Sequence, residues 1–261
     1  MRILLTNDDG ILAPGIAALH RAASAHGEVH VVAPSKVRSA CGHGVTFHRS
    51  LEVRPTTVTG DAGAERFRGM ALSGTPADCV KVGIARLVPA PVDLVLSGIN
   101  AGCNVGVHTL YSGTVAAARE AAMAGIPAIC FSQFLKGPTA VDWPRAEGLA
   151  RACLDRILEH PLEPGSFLNV NFPVLEDGAE PRGFRVAPTL ASAMIDDYAG
   201  APDESGQMDL TVGRGVRFGQ VHEGTDADLL FGGYVTITPM IFDPTDHSAL
   251  ELWRSRLCGA E

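Results

Sequence analysis

The sequence predicts an α/β protein with a Rossmann-like, doubly wound and mostly parallel sheet, followed by a smaller β-rich C-terminal region. Short apolar runs alternate with helical patterns through residues 1–175, the succession expected of such a sheet. One helix separates the first two strands, so a right-handed crossover and parallel pairing are expected. Residues 176–261 do not continue this alternation, and their first part, residues 178–219, is rich in Gly, Pro and charged residues. They predict a hairpin arm, a strand and a closing helix.

The composition is that of a globular protein of one large domain, with or without a small appendage. Of its 261 residues, 46% are hydrophobic and 19% are charged. No apolar run approaches about 18 residues, so no membrane span is expected, and the N-terminus has no signal-peptide pattern. The six cysteines form no C-x-x-C pair, which indicates reduced thiols in a cytoplasmic protein. A net charge of −8 disfavours binding to nucleic-acid polymers.

The first βαβ unit is predicted from local signals. Residues 3–5 are an apolar run that predicts a buried strand of a parallel sheet. Pro14 suits the first turn of the helix that follows, and Gly27 ends it. Residues 28–33 predict the second strand.

The later elements follow from the same patterns. Extended or strand segments are predicted at 47–58, 70–73, 93–97, 127–132, 167–171 and 233–239, with a turn-rich tip at 60–65. Helices are predicted after a Thr75 cap, over the alanine-rich residues 111–124, and at 143–160, 225–231 and 246–258. Short extended pieces at 184–186 and 208–212 predict the hairpin arm.

The first strand leads directly into Asn7, Asp8, Asp9 and Gly10. Ligands of open α/β sheets bind beyond the carboxyl ends of the strands, so these side chains lie where chemistry is expected. Two adjacent carboxylates repel each other unless a cation or a proton lies between them, and hard oxygen ligands favour Mg²⁺, Mn²⁺ or Ca²⁺. The alternative is an Asx-type turn in which Gly10 supplies a positive φ.

Two further loops follow strands on the same side of the predicted sheet. Residues 34–46 contain Lys36, Arg38 and His43, which give the loop positive charge, and Ser39, whose hydroxyl can bind a metal or a phosphate. The alternative is a solvated loop with incidental charge. The loop after residue 97 offers the carbonyl oxygen of Asn100 to a cation.

The phosphate side of the predicted site comes from the same loop and from the alanine-rich helix. Asn104 can donate a hydrogen bond to an anion. Ser112 or Thr114 can cap the helix, and its small-residue start at Gly113 exposes backbone N–H groups that suit a phosphate. The alternative is a plain N-cap. Neither the G-x-G-x-x-G fingerprint nor the Gly-Lys-Ser/Thr phosphate loop is present here.

Several motifs together resemble the SurE family (survival protein E) from residue 1 to about residue 250. They are 5–11 (Leu-Thr-Asn-Asp-Asp-Gly-Ile) with Ala13-Pro14-Gly15, Ala33-Pro34 with Arg38-Ser39, 73–80 (Ser-Gly-Thr-Pro-Ala-Asp-Cys-Val), 97–102 (Ser-Gly-Ile-Asn-Ala-Gly) with Asn104, 111–118 (Tyr-Ser-Gly-Thr-Val-Ala-Ala-Ala), Gly224-Thr225-Asp226 and 233–239 (Gly-Tyr-Val-Thr-Ile-Thr-Pro). Their number and order make the resemblance far more specific than any one motif.

This resemblance implies a metal-dependent phosphatase of nucleoside 5′- and 3′-monophosphates, sometimes also active on polyphosphate. It implies one divalent ion, Mg²⁺ or Mn²⁺, per subunit, and a homodimer or homotetramer that exchanges C-terminal segments. Carried over by motif, Asp8 and Asp9 are catalytic. The implied metal ligands are Asp8, Asp9, Ser39 and Asn100, and the implied phosphate-binding residues are Asn104, Ser112, Gly113 and Thr114.

One departure from the family pattern concerns residues 105–110. Family members often carry an acidic residue in this stretch, and here His108 takes its place. Two other functions compete with metal-assisted hydrolysis. One is an enzyme that forms an aspartyl-phosphate, although the Asp-x-Asp spacing of haloacid-dehalogenase-type phosphatases is absent. The other is a non-catalytic metal- or nucleotide-binding module, which metal would stabilise without turnover.

Overall fold

A computed structural model describes residues 1–59, 66–137, 140–176, 179–192, 198–212 and 218–258. The strands are Arg2–Thr6 (β1), Glu28–Pro34 (β2), Val53–Thr59 (β3), Arg66–Leu72 (β4), Leu94–Ala101 (β5), Ala128–Gln133 (β6), Ser166–Phe172 (β7), Phe184–Val186 (β8), Tyr198–Ala199 (β9), Thr211–Val212 (β10) and Val235–Ile241 (β11). The α-helices are Pro14–Ala23 (α1), Pro76–Val82 (α2), His108–Tyr111 (α3), Gly113–Met123 (α4), Trp143–Ile157 (α5), Asp226–Phe231 (α6) and Leu250–Leu257 (α7), and a short π-helix at Gly83–Leu87 follows α2. The tip predicted at 60–65 lies outside the described residues.

Nine of the described strands form one sheet in the order β3-β4-β2-β1-β5-β6-β7-β11-β8. The six strands from β4 to β7 are parallel, which confirms the predicted doubly wound α/β fold. β1 lies between β2 and β5 and is apolar because both of its faces are covered. The carboxyl end of β1 therefore opens at the centre of the sheet, between the ends of β2 and β5.

Helices cover both faces of the parallel strands. On one face, buried residues of α1 and α5 pack with Ile3, Leu5 and Phe131 in a single core cluster. On the other face, α2 and α4 pack on Leu4 and Phe167. Each fully buried Leu, Ile or Phe stabilises the fold by about 1.5–3 kcal/mol relative to an exposed side chain. The alanine-rich surface of α4 lets its backbone approach the sheet closely.

The observed elements differ from the predicted ones mainly at their ends. The extended stretch predicted from residue 47 becomes a strand only at Val53. Tyr111, expected in the alanine-rich helix, ends the separate short helix α3, and Ser112 caps α4. The final strand continues through Pro239 to Ile241. Proline is tolerated there because β8 pairs only with Val235–Ile237, so no ladder partner requires its N–H on that side.

The C-terminal region contributes both to the main sheet and to a separate pair of strands. β11 pairs antiparallel with β7, and β8 pairs parallel with β11 at the edge of the sheet. β9 and β10 pair antiparallel, Thr211 opposite Ala199. Of the two pieces predicted to form a hairpin arm, the second therefore pairs with Tyr198–Ala199, whereas the first, residues 184–186, joins the edge of the main sheet instead. The extended piece predicted at 208–212 is a strand only at its last two residues, with a bridge between Pro202 and Met208.

All six cysteines are free thiols, as the sequence predicts. Four of them are buried, and burial raises the pKa of Cys103, Cys130 and Cys153 to about 12. A thiol with such a pKa holds its proton at neutral pH and is a poor nucleophile. Among the helices described, none is both long and apolar enough to cross a membrane.

The start of α2 is held by a buried carboxylate. Thr75 caps the helix, and Pro76 occupies its first turn. Asp78 accepts hydrogen bonds from the Thr75 backbone N–H (2.9 Å) and from both the backbone N–H (2.9 Å) and hydroxyl (2.7 Å) of Thr46. Burial acts to raise the Asp78 pKa, but the hydrogen bonds from Thr75 and Thr46 outweigh it and lower the pKa.

We expect Asp78→Asn to lower the free energy of unfolding by about 1–2 kcal/mol at neutral pH, because charge-assisted hydrogen bonds to the helix start are lost. Folding lowers the Asp78 pKa, so this stabilisation is present in full above the ordinary value of 3.8 and is lost as the pH falls through the lowered value. Urea unfolding at neutral pH and below pH 3.8 measures the difference. Glu159→Gln, which removes the same charge from an exposed position, is the control. If the variant's loss of unfolding free energy were as large in acid as at neutral pH, the ionised Asp78 carboxylate would not be the stabilising group.

Candidate active site

The loop after β1 forms the turn that its sequence predicts. Asn7 is fully buried, its side-chain amide donates to the carbonyl oxygen of Gly10 at 2.9 Å, and Gly10 has a φ of +95°. The N–H of Ile11 donates to the Pro34 carbonyl oxygen at 2.8 Å, which fixes the loop to the end of β2. The turn does not compete with a functional role, because it directs two carboxylates to this edge of the sheet.

Asp8 is 4% exposed, and the start of α4 encloses it. The hydroxyl of Thr114 donates to Asp8 Oδ1 at 2.5 Å. A Cβ atom built on Gly113 would lie only 2.9 Å from the Cβ of Asp8. Burial and the charge of Asp9 raise the Asp8 pKa to about 6, against the lowering effect of the Thr114 hydrogen bond. The carboxylate form of Asp8 is therefore less favourable than it would be in water, and a neighbouring positive charge would offset this cost.

Asp9 joins the β1 loop to the end of β5. Its Oδ2 accepts a hydrogen bond from the Ala101 N–H at 3.2 Å, and burial raises its pKa. Asn100 precedes Ala101 and follows an irregularity in the β5–β6 register. The amide nitrogen of Asn100 donates to the Gly102 carbonyl oxygen at 2.7 Å, which leaves Oδ1 as its ligand atom. The predicted ligands Asp9 and Asn100 therefore lie on adjoining segments.

The loop after β2 brings Ser39 to the same region. The N–H of Arg38 donates to the backbone carbonyl oxygen of Asp8 at 2.7 Å. The Arg38 guanidinium donates to the carbonyl oxygens of Ser73 (2.9 Å) and Gly74 (3.2 Å), which fixes this loop to the loop after β4. Ser39 is the next residue and is exposed. The four predicted metal ligands thus come from three strand ends that hydrogen-bond to one another.

The chemistry of these donors fits a hard divalent cation. Within the described residues, neither Asp8 nor Asp9 forms an ion pair with Lys, Arg or His, although burial raises the pKa of both. The buried Asn7 Oδ1 has no hydrogen-bond partner among the residues that the structure describes. No group of three His, Cys, Asp or Glu side chains suited to a metal occurs in the described ranges. A metal at this site would therefore rely on two carboxylates and neutral oxygens, a set suited to Mg²⁺ or Mn²⁺.

The start of α4 supplies the predicted phosphate side. Ser112 is the N-cap, and its hydroxyl oxygen accepts from the N–H of Val115 at 3.1 Å. The dipole of this 11-residue helix places partial positive charge at Gly113, next to Asp8. The Thr114 hydroxyl, predicted to hold phosphate, donates instead to Asp8. Its phosphate role stays a prediction.

Asn104 lies on a buried amide network that the sequence did not reveal. Its backbone N–H donates to Asn171 Oδ1 at 2.8 Å, and its side-chain amide donates to Ser132 Oγ at 2.8 Å. The side-chain amides of Asn169 (2.8 Å) and Asn171 (3.1 Å) donate to the Asn104 carbonyl oxygen. The network fixes the loop after β5 to the ends of β6 and β7. The predicted contact between Asn104 and phosphate stays a prediction.

Asp226, which the sequence offered only as part of a motif, fixes the next part of this loop. Its fully buried carboxylate accepts from the N–H groups of Gly106 (2.9 Å), Leu190 (2.8 Å) and Ala227 (2.8 Å). Burial raises the Asp226 pKa in spite of these hydrogen bonds. His108, the departure from the family pattern, begins α3 and packs edge-on against Phe218, with ring centroids 5.4 Å apart.

An ionic cluster holds the loop after β2 against α4. His43 Nε2 lies 2.7 Å from Glu120 Oε2, and the Lys81 ammonium donates to Glu120 Oε1 at 2.9 Å. Burial acts to raise the Glu120 pKa, but His43 and Lys81 outweigh it and lower the pKa. His43, predicted as part of a positive loop, thus pairs with a carboxylate on α4.

These features define a doubly wound α/β protein whose oxygen-rich, acidic loops meet beside a helix N-terminus and have the donor chemistry that suits a hard cation. Its sequence places it more narrowly. Residues 3–195 match the family model of the survival protein SurE, and the chain belongs to that family.

Relatives and a solved structure agree over nearly the whole length. The chain is 42% identical to 5′-nucleotidase SurE 1 of Thermus thermophilus, with 99% of each chain covered. It is 40% identical to the 5′-nucleotidase SurE of Carboxydothermus hydrogenoformans, over 100% of this chain and 98% of that one. The crystal structure of the SurE protein of Aquifex aeolicus superposes with a TM-score of 0.81 at 33% identity, covering 98% and 99% of the two chains.

The absence of a side chain at Gly113 is a testable requirement of the site. We expect Gly113→Ala to destabilise the protein by about 1–3 kcal/mol through overpacking, because the new Cβ would lie 2.9 Å from Asp8 Cβ, 3.0 Å from Pro76 Cγ and 3.1 Å from Cys41 Sγ. Gly148→Ala is the matched control, since a Cβ within α5 would meet no atom within 4 Å. That substitution should stabilise the protein by about 0.5–1 kcal/mol. Urea unfolding measures the free energy of unfolding of both variants. Equal changes in the two variants would refute the close approach of Gly113 to Asp8.

Proposed function

We propose that this protein hydrolyses nucleoside 5′-monophosphates to nucleoside and phosphate in a metal-dependent reaction. The observation that carries the proposal is the enclosure of Asp8 by the N-terminus of α4 (Thr114 Oγ1 to Asp8 Oδ1, 2.5 Å). This contact joins a buried carboxylate, which a cation would stabilise, to a helix end that suits a phosphate. The 5′-nucleotidase relatives, 42% and 40% identical over nearly the whole chain, support the same function.

The residues divide into a cation side and a phosphate side. Asp8, Asp9, Ser39 and Asn100 would hold the metal. When bound, it would supply Lewis-acid stabilisation of charge on the phosphoryl oxygens. Ser112 and Gly113 would orient the phosphate at the start of α4, where backbone N–H groups favour the negative charge that the transition state spreads over its oxygens.

The reaction adds water to the phosphoryl group. The water oxygen bonds to phosphorus, the ester P–O bond breaks, and the departing nucleoside oxygen gains a proton. Asp9 is more exposed than Asp8, and it is the better placed of the two to accept the proton of the attacking water. Asp8, held by Thr114, stays fixed. Asp9 acting directly as the nucleophile is the competing assignment.

We propose four further properties on the basis of the family resemblance and the composition of the chain. They are activity on 3′-monophosphates, one Mg²⁺ or Mn²⁺ per subunit, a homodimer or homotetramer, and a cytoplasmic location. Residues 1–175 would carry the site, and residues 176–261 would serve oligomerisation. The exposed apolar side chains of α7, among them Leu252, Trp253 and Leu257, support an interface there. Six free thiols support a reducing compartment.

We expect Asp8→Asn and Asp9→Asn each to lower phosphate release from nucleoside 5′-monophosphates by at least about 100-fold, the scale of removing one transition-state charge stabiliser. Assays with Mg²⁺, Mn²⁺ or EDTA measure the effect. The same ions should raise the melting temperature of the wild type by mass action, and the rise should shrink in both variants. Glu163→Gln, at an exposed position, is the charge-matched control.

The outcomes also separate the competing functions. Full activity in both variants would refute the site. Stabilisation by metal with no hydrolysis of any nucleotide would leave a binding module. Burst formation of an acid-labile phosphoprotein that is lost in Asp9→Asn would establish an aspartyl-phosphate in place of direct attack by water.

Two substitutions distinguish whether Thr114 orients Asp8 or binds the phosphate. Thr114→Val removes the hydroxyl that orients Asp8, and we expect a loss of about 10–100-fold in activity together with a higher metal concentration for half-maximal rate. Thr114→Ser keeps the hydroxyl and should retain most of the activity. Initial rates over a grid of metal and substrate concentrations make the measurement. A rise in KM with no change in metal requirement would instead assign Thr114 to the phosphate.

A further inference from the structure

A second polar cavity lies beside the candidate active site. It has a volume of about 580 Å³ and lies between the loop after β2, the segment that leads into β3 and the end of β4. We call it the basic cleft. Its polar and charged lining residues are Ser35, Lys36, Arg38, Arg49, Ser50, Glu52, Arg54 and Ser73.

The basic cleft is positively charged, although the chain as a whole is negatively charged. Four cations and one carboxylate line it, whereas the whole chain has a net charge of −8. Glu52 pairs with Arg54 at 2.7 Å. Among the described residues, no carboxylate forms an ion pair with Lys36, Arg38 or Arg49. Three of the four cations of the cleft therefore have no carboxylate partner among the described residues, and the cleft favours an anion.

Arg38 joins the basic cleft to the active site. Its guanidinium lines the cleft and is fixed by the carbonyl oxygens of Ser73 (2.9 Å) and Gly74 (3.2 Å). Its backbone N–H donates to the carbonyl oxygen of Asp8 at 2.7 Å. The basic cleft and the candidate active site therefore share one loop, in which Arg38 lines the cleft and the next residue, Ser39, is a predicted metal ligand.

We propose that the basic cleft binds a second phosphate of the substrate, so that the enzyme favours nucleosides with two separate phosphate groups over monophosphates. This inference rests on the proposed function, because it takes the cleaved phosphate to lie at the start of α4. The second phosphate is not cleaved while it occupies the cleft. Guanidinium groups bind phosphate through paired, charge-assisted hydrogen bonds, and Lys36 adds a point charge.

The experiment compares adenosine 5′-monophosphate with adenosine 3′,5′-bisphosphate as substrates. The ratio of their kcat/KM values, from initial rates of phosphate release, should favour the bisphosphate in the wild type. Arg49→Gln should lower that ratio by about fivefold, the effect expected for one exposed charge-assisted hydrogen bond. Added salt should lower the wild-type ratio as well, because it screens exposed charges. Arg86→Gln, an exposed cation outside the basic cleft, is the matched control and should leave the ratio unchanged.

A binding measurement without turnover tests the phosphate site in the basic cleft independently of the proposed function. In EDTA, the bisphosphate should raise the melting temperature of the wild type more than the monophosphate does, and Arg49→Gln should reduce that difference. If neither nucleotide is hydrolysed but this difference is present, the proposed function fails and the phosphate site stands. If both are hydrolysed and Arg49→Gln changes neither the kcat/KM ratio nor the melting shifts, the inference is overturned. Equal effects of Arg49→Gln and Arg86→Gln would also overturn it, since net charge alone would then explain them.

Discussion

The buried carboxylate of Asp8 is the constraint on which the arrangement of the site depends. Burial raises its pKa to about 6, and the hydroxyl of Thr114 donates to it at 2.5 Å. For that hydroxyl to reach Asp8, the first turn of α4 must lie against the β1 loop, and only a glycine at position 113 leaves room. The alanine-rich surface of α4 and the central position of β1 therefore serve one contact, between an anion and the positive end of a helix.

The secondary structure, and the meeting of the polar loops at one edge of the sheet, were predictable because each depends on local pattern. Apolar runs identified β1 and β2, and the order of strands and helices placed the loops that follow them at one edge. Hydrogen-bond partners were not predictable in the same way. Thr114 and Asp8 are 106 residues apart, and Asn104 and Asn171 are 67 apart. Sequence shows that such residues are polar and near a strand end, but tertiary packing decides which atoms they face.

Thr114 and Arg38 have partners that residue type alone does not reveal. Thr114 has the residue type of a phosphate ligand, yet its only hydroxyl proton is donated to Asp8. Arg38 was predicted only to give its loop positive charge. Its backbone N–H donates to the β1 loop, and its guanidinium donates to the loop after β4. In both cases the residue type indicated a hydrogen-bond donor, while the direction of the side chain determined its partner.

The buried carboxylate of Asp226 has a consequence for how the protein unfolds. By accepting from Gly106 and Leu190, it ties the loop after β5 to segments more than 80 residues further along the chain. Opening the region around α6 would remove the acceptor of the Gly106 and Leu190 N–H groups, so the two regions should lose protection from hydrogen exchange together. The site and the distant C-terminal segment then form one cooperative unit, and a truncation before α6 would disorder the site without removing any ligand.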